Sequence, residues 1–127
     1  MRGDSWRSSA TYAADALRCA EELLGALSRW SGPAIGIGVE AGTVVCGCIG
    51  QEGRLEYAVI GDTVNRAAKI QNHTKAEGVR ALTTVFARDR AAAQGYDPGR
   101  ARQLLRACEV AGIAGRVDLV VIDQGWM

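Results

Sequence analysis

The sequence predicts one domain of mixed helices and strands, in the α/β or α+β class. Apolar residues recur at steps of three and four in the first part of the chain, which is typical of an amphipathic helix. They alternate in the middle of the chain, which is typical of strands, and both patterns return towards the C-terminus. The chain has 127 residues, enough for one domain with a modest core.

The first half is predicted to hold one helix and three strands. The helix spans Ala13 to Trp30 and is ended by Ser31-Gly32-Pro33. The segments "AIGIGVE", "TVVCGCIG" and "RLEYAVIG" alternate or are rich in β-branched residues, so they are predicted as strands separated by turns at 41–42 and 51–53.

The second half resumes with a helix at Asp62-Thr63, either of which can cap free backbone N–H groups. This helix is expected to fray near 72–74 and to turn four apolar residues inward: Val64, Ala67, Ala68 and Ile70. A short strand over 79–84, a helix over 84–94 and two strands around the Gly112/Gly115 turn complete the prediction.

Composition excludes several function classes. The net charge of +1 does not favour binding to nucleic acid or to a membrane surface. The longest apolar run, "AIGIGVEAGTVVCGCIG", is Gly-rich and carries Glu40, so it predicts buried strand and no membrane segment. A polar N-terminus argues against a secretory signal, so the four cysteines are expected to be reduced and buried in a cytoplasmic protein.

The glycines at 36 and 38 fit a dinucleotide-binding pattern, Gly36-x-Gly38-x-x-Ala41. That pattern works only between a strand and a helix, where the helix N-terminus faces the pyrophosphate. Here another strand follows, so the dinucleotide interpretation is rejected. The glycines are instead expected to allow a helix or another backbone to approach the sheet closely.

Asn65 and Lys69 stand four residues apart, just after the Gly61-Asp62-Thr63 turn. An amide and a cation on one face of a helix N-terminus could bind phosphate or ribose. In the simpler interpretation, Asn65 assists capping and Lys69 is solvated. Spacing alone favours the simpler interpretation.

The segments "IGIGVEAGTVVCGCIG" and "LEYAVIGDTVNRAAKIQNHT" closely resemble the C-terminal half of the class III nucleotidyl cyclase catalytic domain. The resemblance implies an α+β, ferredoxin-like fold that is N-terminally truncated, with residues 1–127 forming a partial cyclase domain. It also implies a head-to-tail dimer with sites at its interface. There the ribose 3′-oxygen attacks the α-phosphate and pyrophosphate leaves.

The resemblance also assigns candidate site residues. Asn65 matches the ribose-orienting Asn, and Lys69 stands where the family usually has an Arg that stabilises the transition state. Lys keeps the charge but loses the planar fork of Arg. Asp62 belongs to the same substrate-binding motif, and Ala58 falls where many members place a purine-reading Asp or Thr. Asp4 matches the second of the two aspartates that hold Mg²⁺ or Mn²⁺.

The first metal aspartate of the family has no counterpart in the sequence. The chain is therefore expected to hold the trans-acting half of a cyclase site and to be weakly active or inactive alone. The implied partners are ATP or GTP and a second cyclase chain, in a homodimer or in a heterodimer with an intact cyclase. A non-catalytic dimerisation partner and a decayed remnant are the alternative interpretations.

Overall fold

The computed structural model describes residues 10–29, 31–32, 35–42, 45–51, 54–100 and 103–122. Their helices and strands alternate along the chain. In order they are α1 (Tyr12–Leu27), β1 (Ile37–Val39), β2 (Val45–Gln51), β3 (Arg54–Ile60), α2 (Asp62–Glu77), β4 (Ala81–Thr84), α3 (Val85–Ala93), a 3-10 turn (Pro98–Arg100), β5 (Gln103–Glu109) and β6 (Arg116–Val121). Every strand and helix predicted within these residues is present, with shifted ends.

Four strands form a mixed sheet in the order β1-β4-β6-β5. β1 is parallel to β4, whereas β4 and β5 are both antiparallel to β6. β2 and β3 form a separate antiparallel hairpin. Among the described residues β1 has a strand neighbour on one side only, so it is an edge of this sheet. The mixed sheet confirms the predicted α+β class.

Helices cover both faces of the sheet. One hydrophobic cluster joins α1 and α3 to the sheet through residues that include Leu17, Ala91 and Val120. A second cluster places Ile70 of α2 among Leu82 and Leu119 on the opposite face. Alternate residues of β4 and β6 therefore face different helices, which explains why consecutive residues are apolar and buried at Ala81–Leu82 and at Leu119–Val121.

The glycines of β1 allow α2 to lie directly on the strand. A Cβ atom at Gly38 would lie 2.5 Å from the carbonyl oxygen of Ala67 and 2.5 Å from the backbone nitrogen of Gln71. A Cβ at Gly36 would meet the hydroxyl of Thr74. Because backbone atoms of α2 fill this space, only glycine fits at 38, and the expected close approach of a helix is confirmed.

Three expectations about α2 are wrong. The helix does not fray at 72–74: it continues to Glu77 and ends at Gly78, whose φ of 67° forms a left-handed cap. Val64 is 39% exposed and Ala68 is also exposed, so only Ile70 of the predicted inward set is buried. The N-cap residue is Gly61, not Asp62 or Thr63, and it makes no side-chain capping hydrogen bond.

No helix in the described part of the chain is long and apolar enough to cross a membrane.

Candidate half-site on helix α2

The first turn of α2 carries the predicted motif residues. Asp62 is the first residue of the helix and is exposed, so its carboxylate stabilises the positive end of the helix dipole. The backbone N–H groups of Val64 and Asn65 both donate to the carbonyl of Gly61, at 3.2 and 3.4 Å. These bonds fix the direction in which α2 leaves the β2–β3 hairpin.

Asn65 and Lys69, which together form the candidate half-site, lie on one face of α2, one turn apart and about 6 Å apart along the axis. Asn65 is exposed and Lys69 is half-buried. Among the residues that the structure describes, neither side chain has a hydrogen bond or an ion pair. The amide and the ammonium are thus not committed to holding the fold together within this part of the chain.

The stem of Lys69 lies against Gly112, in the turn between β5 and β6. A Cβ atom at Gly112 would lie 2.7 Å from Cδ of Lys69 and closer still to Cε. The φ of Gly112 is 89°, a left-handed conformation that favours glycine. The turn therefore supports one side of the Lys69 chain and limits where the ammonium can lie.

For the other two candidate residues, Ala58 and Asp4, the described part of the chain shows no side-chain contact with Asn65 or Lys69. Ala58 lies in β3, opposite Gly47 of β2, and its side chain is outside the described part. Asp4 lies outside the described residues.

Glu40 organises a buried network beside the N-terminus of α2, whose partners were not predicted from the sequence. Its side chain is only 5% exposed. It accepts hydrogen bonds from Arg66 Nε at 3.1 Å, from Thr84 Oγ1 at 2.6 Å and from the backbone N–H of Ala41 at 3.0 Å. Thr84 also accepts from the N–H of Ala87 and so caps α3. One carboxylate thereby joins β1, α2, β4 and the start of α3, which is a structural role.

Two cavities adjoin this network. The first, of about 310 Å³, has mainly apolar walls from the starts of α1 and α2 and the end of β1, including Tyr12, Val39 and Val64. The second, of about 380 Å³, is polar and includes Arg66, Arg116 and Asp118. Neither cavity is lined by Asn65 or Lys69, so the candidate pair lies on a surface of α2 outside both.

The described residues hold no group of three carboxylates that could bind Mg²⁺ or Mn²⁺. Such ions take oxygen ligands, several of them carboxylates. The one group of three potential ligands in this part of the chain is His73, Glu77 and Cys108, with a single carboxylate. Asp62, at the start of α2, belongs to no such group there. The described part of the chain therefore offers the amide and the cation of the predicted site, whereas the predicted metal ligand Asp4 lies outside it.

Comparison with known proteins defines the class of the domain. The family model for the adenylate and guanylate cyclase catalytic domain matches residues 16–97, more than half of the chain. The chain belongs to the adenylate and guanylate cyclase catalytic domain family.

Individual relatives agree with this assignment. The chain is similar to an adenylate cyclase of Anabaena cylindrica, with 46% identity over 50 residues, 39% of this chain and 10% of that protein. It is also similar to an uncharacterised protein of Mycobacterium tuberculosis, with 43% identity over 56 residues, 44% of this chain and 10% of that protein. These matches span about a tenth of each relative's length.

Solved structures show the same fold. The chain matches a bacterial light-regulated adenylyl cyclase with a TM-score of 0.67 and 19% identity, over 88% of this chain and 33% of that one. It matches the guanylyl cyclase Cya2 with a TM-score of 0.56 and 23% identity, over 96% of this chain and 59% of that one.

Proposed function

We propose that this chain is a class III nucleotidyl cyclase domain that supplies Asn65 and Lys69 to a site shared with a second cyclase chain. The shared site would convert ATP or GTP to a 3′,5′-cyclic nucleotide and pyrophosphate. The observation that carries the proposal is the amide and the cation on one face of α2, which have no partner among the described residues, in a domain of this family.

In this proposal each residue has a separate task. The amide of Asn65 hydrogen-bonds the ribose and holds its 3′-oxygen in line with the α-phosphate. The ammonium of Lys69 lies near the phosphate and stabilises the negative charge that develops in the transition state. The lysine ammonium makes a single point contact with phosphate, whereas an arginine guanidinium would make two parallel hydrogen bonds. We therefore expect Lys69 to bind the phosphate more weakly than an arginine would.

The second chain would supply the carboxylates that hold Mg²⁺ or Mn²⁺. In support of this assignment, the described residues hold no group of three carboxylates, and the first metal aspartate of the family has no counterpart in the sequence. We therefore propose that the chain is inactive or weakly active alone.

Uncovered apolar surface near the half-site supports a partner chain. Val64, on the first turn of α2, is 39% exposed, and Tyr12 at the start of α1 is 44% exposed. Both line the 310 Å³ cavity at the edge strand β1. A second cyclase chain in a head-to-tail dimer would bury apolar surface of this kind.

The base of the nucleotide would be selected elsewhere. Alanine at 58 has no side-chain group that can hydrogen-bond a purine. We propose that discrimination between ATP and GTP comes from the partner chain.

Cyclic nucleotide formation tests the proposal directly. The purified chain is assayed with ATP and with GTP in excess Mn²⁺, alone and mixed with an intact cyclase domain. We expect little or no product from the chain alone. In the mixture we expect a rise that Asn65→Ala abolishes and Lys69→Arg preserves or increases, because Arg keeps the positive charge.

Two other results would favour different functions. A mixture that associates but gives the same activity with wild-type chain and with Asn65→Ala would indicate a non-catalytic dimerisation partner. A chain that neither associates nor reacts would indicate a remnant.

A further inference from the structure

A cluster of three metal-ligand side chains lies on α2 and β5, away from the two cavities. His73 Nε2 is 2.8 Å from Glu77 Oε2, and the ligand atoms of His73, Glu77 and Cys108 all lie within 4.8 Å of one another. His73 is 10% exposed at its side chain and Glu77 30%.

The spacing suits a small tetrahedral ion. Zn²⁺ binds Cys sulfur at about 2.3 Å and His nitrogen or carboxylate oxygen at about 2.0–2.2 Å. Tetrahedral angles then separate the ligand atoms by roughly 3.3–3.6 Å. Small side-chain rotations bring atoms that already lie within 4.8 Å of one another to those separations.

A backbone irregularity turns Cys108 towards α2. The pairing of β5 with β6 shifts register between Leu105 and Cys108, as in a β-bulge. Ala107 lies within this shifted segment and has a φ of 54°, a left-handed conformation that costs a non-glycine residue energy. Such strained backbone is often found where a side chain must be aimed at a site.

The chemistry of the three side chains favours a borderline-soft ion. We propose that His73, Glu77 and Cys108 bind one Zn²⁺ ion, which ties α2 to β5. A thiolate, an imidazole and a carboxylate suit Zn²⁺, whereas Mg²⁺ prefers an all-oxygen shell. The fourth coordination position is left for water.

Without the ion, the Cys108 thiol donates a hydrogen bond to the carbonyl of Leu105 at 3.5 Å. Burial, then the carboxylates of Glu77 and Asp118, raise the pKa of Cys108. Zn²⁺ would displace the thiol proton to solvent as the sulfur–zinc bond forms, so one proton leaves for each ion bound.

The proposed zinc site follows the half-site along α2, in the direction of the C-terminus of the helix. Asn65, Lys69, His73 and Glu77 follow one another at steps of four along α2. His73 is one turn, about 6 Å, beyond Lys69. Because Lys69 rests on the turn that follows β5, an ion joining α2 to β5 would also fix the separation between Lys69 and that turn.

Thiol protection tests the site on the full chain without any substitution. The protein is treated with iodoacetamide in the presence and absence of one equivalent of Zn²⁺, and each cysteine is followed by peptide mass spectrometry. We expect Zn²⁺ to slow alkylation of Cys108 by at least about tenfold, because the sulfur lone pair is bound. The exposed Cys19 in the same sample is the internal control and keeps its rate. Mg²⁺ is expected to protect neither.

Variants identify the other ligands. We expect His73→Gln to weaken Zn²⁺ protection of Cys108 at least about tenfold, since even changes around the ligands of a site weaken metal binding 10- to 100-fold. The control variant Cys19→Ser should leave the protection unchanged.

Two outcomes would overturn the proposal. One is equal alkylation of Cys108 with and without Zn²⁺, and the other is undiminished protection in His73→Gln. Neither measurement uses cyclase activity, so failure here is separate from failure of the proposed function.

Discussion

The contact between Gly112 and Lys69 predicts that a single methyl group at 112 disturbs the half-site from a distance. In Gly112→Ala the new Cβ would lie 2.7 Å from Cδ of Lys69, well inside van der Waals contact, so the lysine chain has to move. The φ of 89° also places alanine in a left-handed conformation. That conformation costs about 1–2 kcal/mol for a residue with a Cβ.

Gly115 offers a matched control in the same turn. Its φ is 75°, but nothing lies within 4 Å of a Cβ at this position. Both variants should therefore lose about 1–2 kcal/mol of unfolding free energy. Because the end of a lysine chain is flexible, the contact should add no more than about 1 kcal/mol for Gly112→Ala, the cost of an unfavourable rotamer.

Activity should separate the two variants where stability does not. Displacing a catalytic group by about 1 Å can lower a rate by as much as about 10²-fold. With an intact cyclase partner and conditions in which both variants stay folded, we expect Gly112→Ala to support roughly 10- to 100-fold less cyclic nucleotide formation than Gly115→Ala. Urea unfolding and the mixed assay give the two readouts. Equal activity of the two variants would refute the reasoning that the turn positions Lys69.

Three further predictions concern the fold around the half-site. Gly38→Ala should lose at least about 1–3 kcal/mol in urea unfolding, because its Cβ overlaps backbone of α2. Gly25→Ala, in the last turn of α1 where nothing lies within 4 Å of a Cβ, should instead gain about 0.5–1 kcal/mol. A tolerated Gly38→Ala would contradict the packing described here. Glu40→Ala should lose about 2–3 kcal/mol of unfolding free energy, because it leaves buried donors without an acceptor while Arg66 can turn partly to water. Glu109→Ala, which removes an exposed ion pair, should lose under about 1 kcal/mol. Equal losses would show that the Glu40 network adds nothing to stability. The raised pKa of Cys108 means that the neutral thiol stabilises the fold fully below the ordinary pKa of 9.0, and that this stabilisation is lost as the pH rises through the folded-state pKa. The unfolding free energy should therefore fall more steeply above pH 9.0 in the wild type than in Cys108→Ser. Parallel pH profiles for the two proteins would contradict this.

Local patterns predicted most of the elements because each pattern has a direct physical cause. Alternation at Ile37 and Val39 predicted β1, since alternate side chains of a strand face opposite layers. The two glycines between strand positions predicted the close approach of a helix, which backbone atoms of α2 make over Gly38. The motif around Asn65 predicted the cyclase family through resemblance, and the family model supports it.

One local feature was mispredicted: the end of α2 was expected too early because Asn72 and Thr74 are weak helix formers, although Gly78 carries the signal of a left-handed cap. Features that depend on distant residues could not be predicted from local patterns. The burial of Glu40 depends on Arg66 and Thr84, which are 26 and 44 residues further along the chain. The cluster of His73 and Glu77 with Cys108 required the register shift in β5, which has no local sequence signature.

Rescue of a disabled cyclase tests the central claim most directly. The partner is a cyclase domain that keeps its metal carboxylates but has its own ribose-orienting Asn replaced by Ala, so that it is inactive by itself. Product is measured with ATP and GTP in Mn²⁺ after the wild-type chain or Asn65→Ala is added. The account predicts cyclic nucleotide formation with the wild-type chain and none with Asn65→Ala. No product from a mixture in which the two chains demonstrably associate would contradict it, as would equal product with Asn65→Ala.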